Sequence, residues 1–363
     1  VSHGQRFTHA FRMRSRAGTD VVEISVVLPF RNAAATLPEC LDSIAAQTFG
    51  PFEVLAIDDG STDASAELVR KFAAVDGRFR LIQLGRLGLV GALNLGVEMA
   101  ASPLIARMDA DDIMLPTRLA AQAAYLAEHP DVDLVATQVE LFPPEEIAAG
   151  YREYVRWQNA CLTPDQIAGN IYVESPLAHP AVMMRKAVLQ RLGGYRDGDF
   201  PEDYELWLRM HAAGCRMGKV PQVLLRWRES AARTSRVDPR YDRAAFDRLR
   251  AGYLARDPRL LAAQSAGRPI IIWGAGRKTR QRVQRLFDQG VQAAAWIDIN
   301  PRKIGKVIAG LPVHPPQWLA SSAVERERPF VLSYVTNHGA RDLIEDQLRS
   351  WGYRLGEDYL AVG

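Results

Sequence analysis

Apolar residues fall into short unbroken runs, separated by stretches of helical periodicity. Residues 24–28 are mostly apolar and stop at Pro29, which predicts a central strand. Asn32 and Thr36 then offer turn and cap chemistry. Leu37, Leu41, Ile44 and Ala45 recur at helical spacing. Residues 53–57 predict a second strand, running straight into Asp58-Asp59-Gly60-Ser61-Thr62-Asp63. Residues 64–74 read as a helix capped by Asp63, with Leu68 and Phe72 on one face. A third strand is predicted over 80–84, a glycine-rich loop over 85–91 and a helix over 92–100. Residues 103–106 form a fourth apolar run, and Arg107-Met108-Asp109-Ala110-Asp111-Asp112 follows it.

Strands alternating with helices through short connections predict right-handed crossovers and a parallel sheet. In such sheets ligands bind beyond the carboxyl ends of the strands. Three polar segments stand at those ends, residues 29–32, 58–63 and 109–112, and the topology brings them to one cleft.

The pattern continues with a helix over 116–129, a strand over 133–141, a loop over 142–150 and a short helix over 164–169. Met183 and Met184 predict a strand before a helix over 186–192. Residues 202–213 form a helix with a broad apolar face, and 218–225 close this half. Residues 226–256 then carry nine arginines against four acids. A second α/β pattern starts at Pro269. It has strands over 270–273, 293–297 and 330–335, with helices over 279–289 and 339–351. The organisation expected is a basic arm over 1–20, an α/β domain over 21–236, a basic helical linker over 237–267 and a smaller Rossmann-like α/β domain over 268–363.

Composition agrees with two folded domains: 363 residues, 48% apolar. A net charge of +3 is too near balance for a dedicated nucleic-acid binder. Three scattered cysteines give neither a zinc site nor a disulfide framework and suit a reducing, cytoplasmic compartment. No apolar run reaches the about 18 residues of a membrane span. Arg6, Arg12, Arg14 and Arg16 interrupt the first twenty residues, so no secretory signal is expected there. That arm reads as disordered or as a remnant of expression. The basic segments could also meet the inner face of a membrane peripherally. Oligomeric state is left open.

The acidic turn is the strongest chemical signal. In extended backbone, residues two apart point the same way, so Asp109 and Asp111 project together. Carboxylates that close repel unless a cation lies between them. Mg²⁺ or Mn²⁺ answers that need and normally also holds a diphosphate. Alone, Asp-x-Asp is equally an ordinary polar turn. Its convergence with the other strand ends favours function.

Six segments extend this, in order: SVVLPFRNAAATLPECLDSIAAQTF, EVLAIDDGSTDAS, GALNLGV, MDADDIMLP, GGY and FPEDYELWLRM. Residues 24–236 thereby resemble the family 2 glycosyltransferases, which have the GT-A fold. The resemblance implies a nucleotide-diphosphate sugar donor, a divalent metal and inversion at the anomeric carbon. It implies that Asp58 and Asp59 meet base and ribose, where carboxylates accept from uracil N–H and hydroxyl groups. Pro29 and Arg31 would begin the same pocket. Asn94 and the 86–91 loop would lie near sugar or diphosphate, with Gly88 and Gly91 admitting close backbone approach.

Asp111 would contact the metal, Asp109 the ribose or metal, and Asp112 would stand behind them. Asp203 would be the general base, with Glu202 orienting it or binding acceptor; both acids also suit a helix N-terminus. His179 would contact acceptor or be a structural histidine, and Trp207 would be core. Arg233 and Arg236 would grip the diphosphate or belong to a solvated linker, and Ser230 stands where relatives carry histidine.

The last part resembles the small Rossmann-like domains appended to some such transferases. Gly274, Gly276 and Thr279 form Gly-x-Gly-x-x-Thr, and Asp298 stands 24 residues after Gly274, where a ribose-binding acid is expected. This segment would bind a nucleotide or serve as a docking module. The expected activity is transfer of a sugar, from a UDP-sugar, to a saccharide or lipid-linked acceptor in bacterial surface polysaccharide or lipopolysaccharide synthesis. The alternatives are a dinucleotide-dependent enzyme centred on the second domain and a non-catalytic sugar-nucleotide sensor.

Overall fold

β1 (Ile24–Phe30) is buried along its whole length, as expected of an apolar strand covered on both faces. In this computed structural model, residues 22–363 are described except 84, 231, 232, 322, 323, 325, 326, 336 and 337. The predicted arm over 1–20 and the end of the third predicted strand, Leu84, lie outside the described residues.

After β1 come α1 (Leu37–Ala45), β2 (Phe52–Asp58), α2 (Ser65–Val75), β3 (Phe79–Gln83), α3 (Gly88–Met99) and β4 (Leu104–Arg107). These four strands are parallel, in the order β3-β2-β1-β4. Phe30 lies opposite Asp58, and Val27 opposite Arg107. The acidic segments after β2 and β4 therefore leave the same edge of the sheet, on either side of β1.

β5 (Ile113–Met114), α4 (Arg118–Glu128), β6 (Leu134–Phe142), α5 (Ala149–Ala160), α6 (Pro164–Asn170), β7 (Met183–Arg185), α7 (Lys186–Arg191), α8 (Glu202–Ala212) and β8 (Met217–Arg228) complete this half. They extend the sheet as β4-β7-β6-β8-β5. The expected parallel sheet is in fact mixed. β7 runs antiparallel to β4 and β6, and β5 antiparallel to β8. A three-residue strand buried on both faces has no sequence pattern that reveals its direction. α5 occupies a stretch with no predicted helix, and it starts inside the predicted loop. Its polar residues obscured a stripe of Tyr151, Tyr154 and Trp157. Trp207 is fully buried core, as expected.

α9 (Thr234–Val237), α10 (Arg243–Leu254) and α11 (Pro258–Ser265) lead to the second sheet. Its strands are β9 (Ile270–Trp273), β10 (Ala295–Ile297), β11 (Val307–Ile308), β12 (Leu311–His314), β13 (Phe330–Ser333) and β14 (Tyr359–Ala361). Their order is β11-β12-β10-β9-β13-β14, all parallel but β11. α12 (Arg277–Phe287) and the helix His338–Ser350 flank it. No helix among the described residues is long and apolar enough to cross a membrane.

α3 lies so close to β1 that a Cβ on Gly96 would collide with the Val27 methyl groups. Val27 is buried and rotamer-restricted, so it has little room to yield. Gly96→Val should therefore lower stability by about 2 kcal/mol or more, read as a lower urea midpoint. An unchanged midpoint would refute this close packing.

Candidate active site

The acidic turn leaves the sheet where β4 ends. Asp109, Asp111 and Asp112 each bring a carboxylate oxygen within 4.8 Å of the others. α1 holds the turn from one side. Thr36 Oγ1 donates to Ala110 O at 3.0 Å, and Cys40 Sγ to Asp109 O at 3.3 Å. β8 holds it from the other, with Arg228 Nε on Asp111 O at 2.6 Å and its backbone N–H on Asp112 Oδ1 at 2.8 Å. The backbone is clamped, so the three carboxylates stay rooted on one short turn.

Burial, and then the charge of Asp109, lift Asp111 to about 6. Burial and both neighbouring acids raise Asp112 well above the carboxylate range. Asp112 Oδ2 is buried without a hydrogen-bond partner. Beneath the turn, Arg107 is buried and ion-paired with Asp109. Burial depresses its guanidinium, but Asp109 lifts it back above its ordinary value. An oxygen-only donor set with strained charge and an orphaned oxygen fits a hard divalent cation such as Mg²⁺ or Mn²⁺.

α8 starts directly after Pro201, so Glu202 and Asp203 occupy its first turn. Burial, then the charge of Glu202, lift Asp203 to about 7. Burial also raises Glu202, against the hydroxyl of Tyr241, which donates to its Oε2 at 2.5 Å. His179 Nδ1 lies 3.7 Å from Glu202 Oε1, and its Nε2 lies 3.0 Å from Tyr195 Oη. Burial, then the charge of Arg107, hold His179 well below its ordinary range, so the ring is neutral.

One cleft of about 670 Å³ is bordered by Asp109, Asp111, His179, Glu202, Asp203, Arg233 and Arg236. The sequence-predicted residues Pro29, Arg31, Asp58, Asp59 and Asn94 do not border it. The first four stand at the carboxyl ends of β1 and β2. Asp58 Oδ1 accepts from Ser61 N–H at 2.9 Å, and Asp59 Oδ1 from the N–H groups of Leu87 and Gly88 at 2.6 and 2.9 Å. Asn32 accepts from Thr62 N–H at 2.8 Å, tying the two loops together. Arg31 is exposed. The Asn94 amide is engaged by Tyr195, donating to its C=O at 2.9 Å and accepting from its N–H at 2.8 Å.

The arginines after β8 are not a solvated linker. Arg233 donates to Tyr151 Oη at 2.8 Å and stacks 4.5 Å from the Trp227 ring centroid. Glu229 pairs with both Arg233 and Arg236, at 3.2 and 2.9 Å. In the second sheet, Gly274 turns with φ +115°, and Gly276 caps α12. Asp298 is met by its own chain. Its Oδ2 accepts from Ala275 N–H at 3.0 Å and Lys303 Nζ at 2.7 Å, and its Oδ1 from Asn300 N–H at 2.8 Å.

Sequence reasoning missed Arg107, Tyr195 and Tyr241 as site residues. Tyr195 belongs to the GGY segment and was within reach. Arg107 stood at the head of the acidic segment, overshadowed by the acids beside it, and the structure makes it the last residue of β4; Tyr241 comes from a helical connection distant in sequence. Tyr151, Tyr154 and Trp157 also border the cleft; their three-residue spacing was the signal, masked by the polar residues between them.

The model of the family described as Glycosyl transferase family 2 matches residues 25–193. The amylovoran biosynthesis glycosyltransferase AmsE of Erwinia amylovora is 32% identical over 193 residues, 53% of this chain and 70% of its own. The UDP-Gal:alpha-D-GlcNAc-diphosphoundecaprenol beta-1,3-galactosyltransferase of Escherichia coli is 30% identical over 219 residues, 58% of this chain and 76% of its own. Among solved structures, S. aureus TarS 1-349 in complex with UDP-GlcNAc superposes with a TM-score of 0.51 at 17% identity, covering 74% of this chain and 80% of that one. Another TarS chain is covered over 43% of its length, with a TM-score of 0.49. The fold is thus of the GT-A type, and the chain belongs to the family 2 glycosyltransferases.

Proposed function

We propose that this protein is an inverting, metal-dependent glycosyltransferase. It moves a sugar from a nucleotide-diphosphate donor, a UDP-sugar, to a saccharide or lipid-linked acceptor in bacterial surface polysaccharide synthesis. It works in the cytoplasm, peripheral to the inner membrane face. The observation that carries this reading is the meeting of the Asp109 and Asp111 carboxylates with Asp203 in one cleft, Asp112 being clustered behind the first two. UDP-Gal and a diphosphate-linked lipid acceptor, named for the E. coli relative, support the substrate classes.

Asp109 and Asp111 would hold Mn²⁺ or Mg²⁺, with Asp112 behind them. When bound, that ion supplies positive charge to the leaving diphosphate. Arg233, fixed by Tyr151 and Trp227, offers a further positive group on the same wall. Asp58, Asp59, Pro29 and Arg31 would take the nucleoside at the neighbouring strand ends. Asn94 would act through Tyr195, which it holds. Gly274, Gly276 and Asp298 are proposed as a structural turn, since the chain itself fills the acid's oxygens.

The transfer is a single displacement. An acceptor hydroxyl oxygen attacks the sugar C1 from the face opposite the diphosphate. The C1–O bond to phosphate breaks, the nucleoside diphosphate leaves, and the hydroxyl proton passes to Asp203. A carboxylate with a raised pKa is a stronger base than an ordinary aspartate, which suits it to that proton. Glu202, held by Tyr241 and beside neutral His179, keeps Asp203 from ionising early and orients the acceptor.

Asp203→Asn should lower kcat by about 100-fold or more while leaving UDP affinity intact; full turnover in this variant would refute the assigned base. In the parent, kcat/KM should rise with pH through about 7 as Asp203 loses its proton. Stability should move the other way. The folded state holds that proton above the ordinary carboxylate range, so stability falls as pH rises toward and through about 7. Asp203→Asn removes that loss and should melt higher than the parent at pH 8. Asp111→Asn should abolish the Mn²⁺-dependent gain in UDP affinity, measured by calorimetry with and without EDTA. An unchanged gain would remove Asp111 from the metal site.

A further inference from the structure

The cleft continues past the acids toward the second sheet, and the transfer step leaves that end without a role. Its floor is aromatic. Tyr151, Tyr154 and Trp157 stand three residues apart on α5, with ring centroids 5.6 Å and then 6.0 Å from one to the next. Tyr151 is at the acid end, beside Arg233. Tyr154 is fixed by its hydroxyl, which donates to Ser175 O at 2.8 Å. Trp157 is at the far end, under a residue from the other half of the chain.

That residue is Arg341, on the helix His338–Ser350. Its guanidinium carbon lies 5.7 Å from the Trp157 ring centroid. Arg341 borders the cleft and is only 6% exposed. Yet its guanidinium makes no hydrogen bond or ion pair with any described residue. Arg250 nearby differs, being paired with Asp247 and with the C=O of Gly363. Glu345 and Asp342 act on Arg341 from its own helix at longer range, and burial still holds the guanidinium below its ordinary value. Glu174 also borders this stretch, but does not pair with it.

Most of the Arg341 side chain is buried and what remains open meets the cleft; a guanidinium so placed is short of acceptors, which is unfavourable until a ligand supplies one. Its planar fork matches a carboxylate or phosphate. The neighbouring rings offer flat apolar faces of the kind that line small-molecule pockets. We propose that this end of the cleft is a second acceptor subsite, in which a sugar ring lies on Tyr154 and Trp157 and Arg341 binds an anionic group of the acceptor. The anion is a carboxylate of an acidic sugar or a phosphate of a phosphate-linked one. This rests on the transferase reading, because the same cleft holds Asp203. It makes the second half of the chain a contributor to acceptor choice.

The test uses the full chain with UDP and Mn²⁺ at saturation, so that the donor end is filled. Methyl glucoside, methyl glucuronide and glucose 1-phosphate are titrated against tryptophan fluorescence. At least one anionic probe should bind ten-fold or more tighter than methyl glucoside, and which one does so identifies the anion. Arg341→Gln should erase that preference, and Arg341→Lys should keep part of it. Trp157→Phe should weaken all three probes. Arg341→Gln should also melt no lower than the parent, whereas a structural arginine would lose stability. Equal affinities in the parent, or a preference that survives Arg341→Gln, would overturn the subsite. Failure of UDP to bind counts against the transferase reading alone, since the charged and neutral probes can still be compared.

Discussion

Repulsion among the three carboxylates after β4 is the constraint on which the rest of the site depends. Left free, such a turn would separate its charges into solvent. Here Thr36 at the start of α1, Cys40 on α1 and Arg228 from β8 hold its carbonyls and Asp112, so the backbone does not open to separate them. The repulsion remains in the folded state as raised carboxyl pKa values and an unpartnered oxygen. Arg107 relieves only part of it, because one buried guanidinium faces three acids. The fold keeps an unfavourable charge distribution at the point where a cation and a diphosphate would relieve it.

The same logic governs Asp203. Burial raises its pKa and makes its ionised form expensive, and the proposed role as a base near neutral pH would draw on that. Its environment is assembled from four distant stretches. Asn94 on α3 holds the backbone of Tyr195, Tyr195 meets His179, His179 lies beside Glu202, and Tyr241 closes on the other Glu202 oxygen. The neutral imidazole matters here. A protonated His179 would pair with Glu202 and remove the charge that lifts Asp203.

The second sheet has a different relation to the site. Its glycine turn and Asp298 have the spacing of a dinucleotide fingerprint, but Ala275, Asn300 and Lys303 already meet the carboxylate. Its contribution to the cleft comes instead through a helix: Arg341 stands over Trp157 of the first half. The two halves thus share one cavity wall.

The sequence by itself determined the α/β class, the four leading strands and the acidic segments that close on the sheet edge. These follow from local rules: apolar runs bury as strands, helical periodicity buries one face, and polar segments at strand ends gather on one edge. The tertiary structure alone decided the rest. The direction of β7 depends on a partner strand far along the chain. The helical form of α5 depends on packing that its polar residues do not announce. Whether Asp298 is open to a ligand, whether Asn94 is free, and whether Arg341 has a partner are questions of three-dimensional distance. A hydrogen bond or a desolvation penalty acts between atoms in space, and residue order does not encode which atoms will meet.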